Sequence, residues 1–313
     1  MSDTHVPSRV FRPAQQEAET VKSGVSTPQT ENPAYRLAFQ DLDFLLREDL
    51  RPVRFQLELL KPQLLLDEAN IGSTFVFYGS ARIPAPDKAE ALLAAAEGEE
   101  AKKIAERLVA KSKYYEVARE LARMVSQLPP DENGKRQFVV CSGGGPSIME
   151  AANRGATDVG AETIGLNIVL PHEQAPNPYV TPKLSFQFHY FALRKMHFLL
   201  HARALAAFPG GFGTFDELFE LLTLIQTGKI DPIPVLLYGK DFWNRVVNFE
   251  ALCEEGVISP RDLSIFTMVE TAEEGWAAVK DFYRRRRQAE EETASEHARH
   301  ELEAQAPMER KKA

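Results

Sequence analysis

Short apolar segments alternate with longer helical patterns along most of the chain, and this alternation strongly restricts its fold. From Ser73 onward, strand candidates such as TFVFYGS, QFVVCSGGG, ETIGLNIVL, ALAAFPGG and IPVLLYG are interspersed with segments of helical periodicity. Continuously apolar strands separated by helices are typical of βαβ units, whose parallel sheet is buried between layers of helices. The sequence therefore predicts an α/β fold with a doubly wound, mostly parallel sheet.

The pattern divides the chain of 313 residues into four parts. Residues 1–33 are polar, with Pro, Ser, Thr and Gln scattered through them, and predict a disordered leader. Residues 34–72 carry Leu and Phe at helical spacing and predict two helices ahead of the main domain. Residues 73–287 hold the alternating pattern, and residues 288–313 predict a charged tail, either helical or loose.

The charge and composition of the chain disfavour several classes of protein. The formal net charge of -8 disfavours nonspecific nucleic-acid binding. No apolar run is long enough to cross a bilayer, and the first twenty residues lack the apolar stretch of a signal peptide. The two cysteines, Cys141 and Cys253, lie far apart in sequence and do not suggest a disulfide framework. We therefore expect a cytoplasmic protein without nucleic-acid or membrane partners.

The first segment that could form part of a binding or catalytic site is CSGGGPSIMEAANRGA, in which an apolar strand runs into Gly143, Gly144 and Gly145. Pro146 then suits the first position of a helix. Glycines let backbone N–H groups approach a ligand, and a helix N-terminus adds partial positive charge, so a phosphate group is the natural ligand. A tight strand-to-helix turn without a ligand is the alternative, and this segment alone leaves both open.

The second segment is FPGGFGTFDELFELLTLIQTG, where another strand ends in glycines and another helix follows. Gly228 suits the C-terminal end of that helix. Thr214 and Glu217 fit a capping box, in which Thr caps the helix and Glu reaches back to it. A carboxylate beside the same loop could instead activate water or protonate a leaving group. From these residues alone the cap is the favoured interpretation.

The third segment, HYFALRKMHFLLHARA, places Arg194, His197 and His201 on one face of a helix. The sequence HFLLH lacks the Glu of the zinc motif HExxH, so we expect no metal site. Arg194 and Lys195 are either solvated cations or contacts to phosphate or ribose, since Arg offers forked donors.

Several common nucleotide and hydrolase motifs are absent from the sequence. There is no GxxxxGK[ST], which excludes a P-loop enzyme. Neither glycine segment completes GxGxxG, because Ile148 and Asp216 stand where the third glycine belongs, and this disfavours a dinucleotide-binding oxidoreductase. No GxSxG nucleophile elbow occurs either.

Taken together, PGGFGTFDE, LRKMHF and GGGPSIMEAANRGA resemble the LOG (Lonely Guy) family, whose hallmark PGGxGTxxE is matched from Pro209 to Glu217. The resemblance covers residues 73–287. It implies a Rossmann-like domain that hydrolyses nucleoside 5′-monophosphates to a free base and ribose 5-phosphate, without a metal or organic cofactor. The family is often labelled lysine decarboxylase, but no segment here suggests a lysine that would form a Schiff base with PLP.

The resemblance also implies the residues of the site. Arg194 and Glu217 match the family's catalytic pair, and the carboxylate would stabilise the positive charge that builds on the ribose as the bond breaks. The implied substrate-binding residues are Ser80, Gly143, Gly144, Gly145, Glu173, Lys195, Gly210, Gly211, Phe212, Gly213, Thr214 and Thr223.

Two questions stay open at this point. The long region between Ser80 and Phe138 and the leading helices differ from short plant-type members, so AMP-like and cytokinin substrates are both candidates. A non-catalytic module that binds a nucleotide or a phosphorylated pterin on the same fold is the alternative function. The apolar faces of the leading helices, together with the family resemblance, predict a homo-oligomer.

Overall fold

A computed structural model describes residues 11–22, 25–171 and 175–305, with the side chains of residue 22 and of residues 296–305 left out. The chain divides into two compact units, Met1–Glu58 and Leu59–Ala313. All strands of the described sheet lie in the second unit.

The first unit is helical. Its helices are α1 (Ala14–Lys22), α2 (Pro28–Glu31) and α3 (Leu42–Leu45), with 3-10 turns at Pro33–Tyr35, Ala38–Gln40 and Glu48–Leu50, and α4 (Arg51–Glu68) begins here and ends in the second unit. The side chains of Thr27 and Asp41 cap α2 and α3 by accepting hydrogen bonds from backbone N–H groups. Within residues 1–33, for which the sequence predicts a disordered leader, α1 and α2 are helical, and residues 1–10 and 23–24 lie outside the described residues.

The second unit alternates strands and helices. Its strands are β1 (Thr74–Tyr78), β2 (Val139–Ser142), β3 (Ile164–Ile168), β4 (Ser185–Phe188), β5 (Ala202–Ala207), β6 (Val235–Tyr238) and β7 (Phe266–Val269). Its helices are α5 (Pro86–Ala94), α6 (Glu99–Lys111), α7 (Lys113–Val125), α8 (Ile148–Thr157), α9 (Phe191–Leu200), α10 (Phe212–Gln226), α11 (Lys240–Val246), α12 (Phe249–Glu254) and α13 (Ala272–Gln305), with 3-10 helices at Pro182–Leu184 and Pro260–Ile265.

Within the described ranges, seven strands form one sheet in the order β4-β3-β2-β1-β5-β6-β7. All neighbouring strands run parallel, with Val76 of β1 paired to Cys141 on one side and Leu205 on the other. The chain moves outward from β1 to β4 and then returns to add β5, β6 and β7 on the other side. The predicted doubly wound parallel sheet is therefore confirmed, with its topological switch point between β1 and β5.

Strand β1 shows why the sheet is buried on both faces. All five of its residues are buried, and successive side chains point to opposite faces. Val76 and Tyr78 join an apolar cluster with residues of α9, α10, α11 and α12. Phe75 and Phe77 join a second cluster with residues of α7, α8 and α13. The continuously apolar sequence of the strand therefore suits a sheet that is covered by a layer of helices on each face.

The longer helical segments are divided by residues at which a helix begins or ends. The segment after β1 forms α5, α6 and α7, with breaks at Gly98, where φ is +84°, and at Ser112. The segment after β6 forms α11 and α12, because the side chain of Asn248 accepts a hydrogen bond from the N–H of Ala251 and starts α12. Helix α13 continues through the predicted tail to Gln305. No helix in the described ranges is long and apolar enough to span a membrane.

The contact between α7 and α8 depends on a small residue. A Cβ atom added at Gly155 would collide with the carbonyl oxygen of Arg119 and lie 2.9 Å from the Cβ of Ala122. We therefore expect Gly155→Ala to destabilise the fold by about 1–3 kcal/mol through overpacking, measured as a lower melting temperature. Gly213→Ala is the matched control, because nothing lies within 4 Å of a Cβ at that helical glycine. Equal melting temperatures for the two variants would contradict this account of the helix contact.

Candidate active site

The two glycine loops meet at the carboxyl edge of the sheet, on either side of β1. Ser80 follows β1 and joins them through its backbone. Its N–H donates to the carbonyl oxygen of Pro209 (3.1 Å), and its own carbonyl accepts from the N–H of Ile148 (3.3 Å). The strand order therefore brings both glycine segments to the switch point, which is where open α/β sheets bind ligands.

The first glycine loop follows β2. The N–H of Gly144 donates to the hydroxyl of Ser142 (3.1 Å), and φ at Gly144 is +72°, in the left-handed region. Helix α8 begins at Ile148 with Ser147 as its N-cap residue, so Pro146 lies outside the helix and its predicted first helical position is wrong. The side chain of Ser147 makes no capping hydrogen bond.

The second glycine loop follows β5 and opens α10. The helix begins at Phe212, and its N-cap residue is Gly211, which has no side chain to cap with. Thr214 is buried inside the first turn, where a Cβ atom at Gly210 would collide with it. The predicted capping box of Thr214 and Glu217 is therefore wrong, since the helix starts earlier and Glu217 lies in its second turn. Gly228, with φ at +66°, closes the other end of α10 as predicted.

The carboxylate of Glu217 instead pairs with Arg194. Nη1 of Arg194 lies 3.0 Å from Oε1 of Glu217, and the two side chains are only 11% and 13% exposed. Nε of Arg194 donates to the carbonyl oxygen of Leu166 (2.7 Å). The guanidinium also lies 5.0 Å from the ring centre of Phe198. Three elements therefore fix one arginine, because Leu166 belongs to β3, Arg194 and Phe198 to α9, and Glu217 to α10.

Arg194 also contacts the first glycine loop. A Cβ atom at Gly143 would lie 2.6 Å from Nη2 of Arg194 and 2.8 Å from the sulfur of Met149. The guanidinium therefore spans from Glu217 to the glycine loop, and only a residue without a side chain leaves room for it. Arg194, Glu217 and Gly143, which the sequence separates widely, form one contiguous cluster.

Burial dominates the acidity of Glu217. It raises the pKa of this carboxyl to about 7, and the opposite charge of Arg194 lowers the pKa only in part. A carboxyl group that titrates near neutral pH can hold or release a proton at physiological pH, which suits general acid–base chemistry. The arrangement thus supplies a fixed carboxyl group of tuned acidity at the switch point.

Lys195 lies beside this cluster but is engaged elsewhere. Its Nζ pairs with Asp216 (3.1 Å) and with Glu220 (3.0 Å), both on α10. These two carboxylates offset its charge, so Lys195 ties α9 to α10 in this structure. A phosphate contact, as predicted for Lys195, would have to compete with both carboxylates.

Three further predicted residues, Phe212, Ser80 and Thr223, lie within the described part of the chain. Phe212 stands at the start of α10 with its side chain 98% exposed. The hydroxyl of Ser80 accepts from the N–H of Arg82 (3.0 Å) and so shapes its own loop. Thr223 is not part of the cluster, because it lies about 9 Å farther along α10 than Glu217 and its hydroxyl donates to Phe219 of the same helix. Glu173 lies outside the described residues.

Two residues that support the loops, Asn177 and Asn153, are not predicted from the sequence. Asn177 donates its N–H to the carbonyl oxygen of Gly144 (2.8 Å) and its Nδ2 to that of Gly145 (3.0 Å). Asn153 of α8 is completely buried behind the same loop. The sequence offers only weak signals for a role of these residues. Asn177 stands between two prolines, and Asn153 stands among small residues of a helical segment. Among the described residues, no three His, Cys, Asp or Glu side chains are grouped to hold a metal.

A segment that contains Arg194 and Glu217 matches a known protein family. The family model described as "Possible lysine decarboxylase" matches residues 149–279. The chain is 30% identical over 139 residues to the cytokinin riboside 5′-monophosphate phosphoribohydrolase LOG3 of Arabidopsis thaliana, covering 44% of this chain and 63% of that protein. It is 31% identical over 140 residues to the probable cytokinin riboside 5′-monophosphate phosphoribohydrolase LOG4 of rice, covering 44% and 59%. Over the matched segment the chain is thus similar to proteins named LOG.

The aligned part covers less than two thirds of each of these LOG relatives. Solved structures give more distant matches. A structural-genomics crystal structure matches 67% of this chain and 99% of its own, with 20% identity and a TM-score of 0.41. The molybdenum cofactor carrier protein of Chlamydomonas reinhardtii matches 67% of this chain and 97% of its own, with 17% identity and a TM-score of 0.37.

The contact between Arg194 and Glu217 predicts a measurable shift in acidity. Because Arg194 lowers the pKa of Glu217, we expect Arg194→Met to raise that pKa further above 7. Arg194→Lys keeps a positive charge and should raise the pKa less. Carbon NMR titration of the carboxyl groups measures both variants, with Glu217→Gln used to assign the signal. An unchanged or lower pKa in a folded Arg194→Met variant would show that the two groups do not interact in solution.

Proposed function

We propose that this chain hydrolyses the N-glycosidic bond of a nucleoside 5′-monophosphate, releasing a free base and ribose 5-phosphate. The observation that carries the proposal is the buried carboxyl of Glu217, paired with Arg194 beside the two glycine loops. The names of the LOG relatives, which describe phosphoribohydrolases of cytokinin riboside 5′-monophosphates, support the same type of reaction.

The two helix N-termini support a phosphate anchor. The first N–H groups of a helix have no partner within the helix, and the helix dipole adds partial positive charge there. At α8 and α10 neither N-cap residue supplies a side-chain acceptor. A 5′-phosphate at these helix ends would accept hydrogen bonds from such N–H groups. The glycines around Gly144 and Gly211 would let its oxygens approach the backbone closely.

In the proposed mechanism, the bond between the ribose C1′ and the base nitrogen breaks first, and its electron pair leaves with the base. The carboxylate of Glu217 stabilises the positive charge left on the sugar, as carboxylates do in glycoside hydrolysis. A water molecule then adds to C1′ and gives its proton to Glu217. That proton passes on to the departing base nitrogen, directly or through solvent, and returns Glu217 to its charged form. Arg194 holds the carboxylate in place throughout.

The phosphate anchor predicts selectivity for monophosphates. Two or three charge-assisted hydrogen bonds would favour AMP over adenosine by at least about a hundredfold in kcat/KM. A panel of AMP, a cytokinin riboside 5′-monophosphate and the matching nucleosides, with detection of free base and ribose 5-phosphate, measures this ratio and identifies the preferred base. Equal rates on AMP and adenosine would rule out the anchor.

Glu217→Gln separates a chemical role from a structural one. Gln keeps the size of the side chain but loses its negative charge and its ability to take a proton. We expect turnover of the preferred monophosphate to fall by about a hundredfold or more, while the melting temperature and nucleotide affinity stay near those of the wild type. For the wild type, kcat/KM should rise with pH up to about 7 and then level off, because the charged carboxylate is the active form.

Glu220→Gln is the matched control for this substitution. Glu220 lies one helical turn beyond Glu217 on α10 and pairs with Lys195. The same chemical change there should leave turnover within about twofold of wild type. Near-normal turnover in a stable Glu217→Gln variant would instead show that Glu217 has no chemical role in the hydrolysis.

We also propose a homo-oligomer in the cytoplasm. The support is apolar surface on the first unit, where Leu42 and Leu46 are 69% and 68% exposed. Contiguous exposed apolar residues are often buried by a partner, and a second copy of the chain is the simplest one.

A further inference from the structure

Asn153 lies on α8 behind the first glycine loop, and its carboxamide uses its full hydrogen-bonding capacity. Its Oδ1 accepts from the hydroxyl of Ser142 (2.7 Å) and from Nδ2 of Asn177 (2.9 Å). Its Nδ2 donates to the hydroxyl of Thr163 (2.6 Å) and to the carbonyl oxygen of Ile164 (3.3 Å). An amide offers two acceptor and two donor positions, and all four are occupied here. The side chain is 0% exposed, so these bonds fix it in one orientation.

Two of these partners in turn hold the backbone of the loop. The hydroxyl of Ser142 accepts from the N–H of Gly144 (3.1 Å). Asn177 donates to the carbonyl oxygens of Gly144 (2.8 Å) and Gly145 (3.0 Å). Three backbone groups of the loop are therefore held by Ser142 and Asn177, two of them by side chains that Asn153 contacts and one by the backbone N–H of Asn177. Both carbonyl oxygens are directed toward Asn177, which keeps their negative charge away from an anion on the other side of the loop.

The loop needs such support because part of its backbone is strained. Ser147, which has a side chain, adopts a φ of +62° and a ψ of -121° at the start of α8. Conformations of this kind cost about 1–3 kcal/mol and persist only where the surrounding contacts enforce them. The hydrogen bonds of Ser142 and Asn177 hold Gly144 and Gly145, two to three residues before Ser147, and supply such contacts.

We propose that Asn153 and Asn177 are positioning residues for the phosphate anchor, acting through the backbone of Gly144 and Gly145. This inference rests on the proposed function, in which the first glycine loop receives a 5′-phosphate. The two asparagines do not touch the substrate. They set the direction of the loop peptides, and so determine how well the N–H groups near the N-terminus of α8 match an anion.

A purely structural role for the same network predicts a different outcome. If Asn153 only fastens α8 to β3, its loss lowers the melting temperature and leaves ligand selectivity unchanged. If it positions the loop, its loss weakens binding of the phosphorylated ligand specifically. Affinity for AMP compared with affinity for adenosine separates the two, because only AMP carries the phosphate.

The experiment compares Asn153→Ala, Asn177→Ala and Ser142→Ala with the wild-type chain. Calorimetry gives the Kd of AMP and of adenosine, and hydrolysis assays give kcat and KM for AMP. We expect each variant to bind AMP about tenfold more weakly with little change for adenosine, since one or two hydrogen bonds that orient the loop are lost. KM should rise more than kcat falls. If Asn153→Ala fails to fold, Asn177→Ala and Ser142→Ala still provide the measurement.

Ser73→Ala is the matched control. Ser73 is a buried hydroxyl whose oxygen accepts from the N–H of Phe138, but it lies just before β1, at the opposite edge of the sheet. It should lower the melting temperature without changing the ratio of the two affinities. An unchanged ratio in folded Asn177→Ala and Ser142→Ala variants overturns the positioning role, even if hydrolysis proceeds as proposed. A wild-type chain that binds AMP without cleaving it overturns the hydrolase, while the affinity ratio still decides the role of the asparagines.

Discussion

The buried contact between Arg194 and Glu217 is the interaction around which the site is arranged. Removing two charges from water is expensive, and their mutual attraction offsets the cost only with good geometry and additional hydrogen bonds. Arg194 has these in the carbonyl oxygen of Leu166 and the ring of Phe198. Glu217 is less fully compensated, because burial still raises its pKa to about 7. The imbalance leaves a rigid carboxyl group that exchanges its proton near neutral pH.

The parallel sheet makes this contact possible. Helices α9 and α10 flank β5 in sequence and pack on the same face of the sheet, where Phe198 and Leu218 join one apolar cluster. That packing holds the two helices where Arg194 and Glu217 can contact each other. The switch point beside β1 places the two glycine loops at the same edge. Strand order, rather than any local motif, therefore brings a carboxyl group and two helix N-termini together.

The fold class and the separate segments of the site could be predicted from the sequence, since they depend on short-range patterns. Apolar strands between helices gave the correct fold class, and the motif PGGFGTFDE pointed to Glu217. The capping box failed because a matching Thr–Glu spacing does not fix where a helix starts, and α10 begins at Phe212. The role of Asn177 could not be predicted, because it depends on a loop folding back onto Gly144 from 33 positions away. The counter-ions of Lys195 likewise depend on how α9 packs against α10.

A site for an anion and a buried carboxylate make opposing electrostatic demands. The helix N-termini favour negative charge, whereas a bound phosphate would disfavour a charged Glu217 nearby. Arg194 lies between the two, with Nη1 on Glu217 and Nη2 facing Gly143 of the first loop. One guanidinium can thus stabilise the carboxylate and attract an anion without moving. Gly143 is required on this view as well, since any side chain there would push the guanidinium away from the loop and separate the two functions.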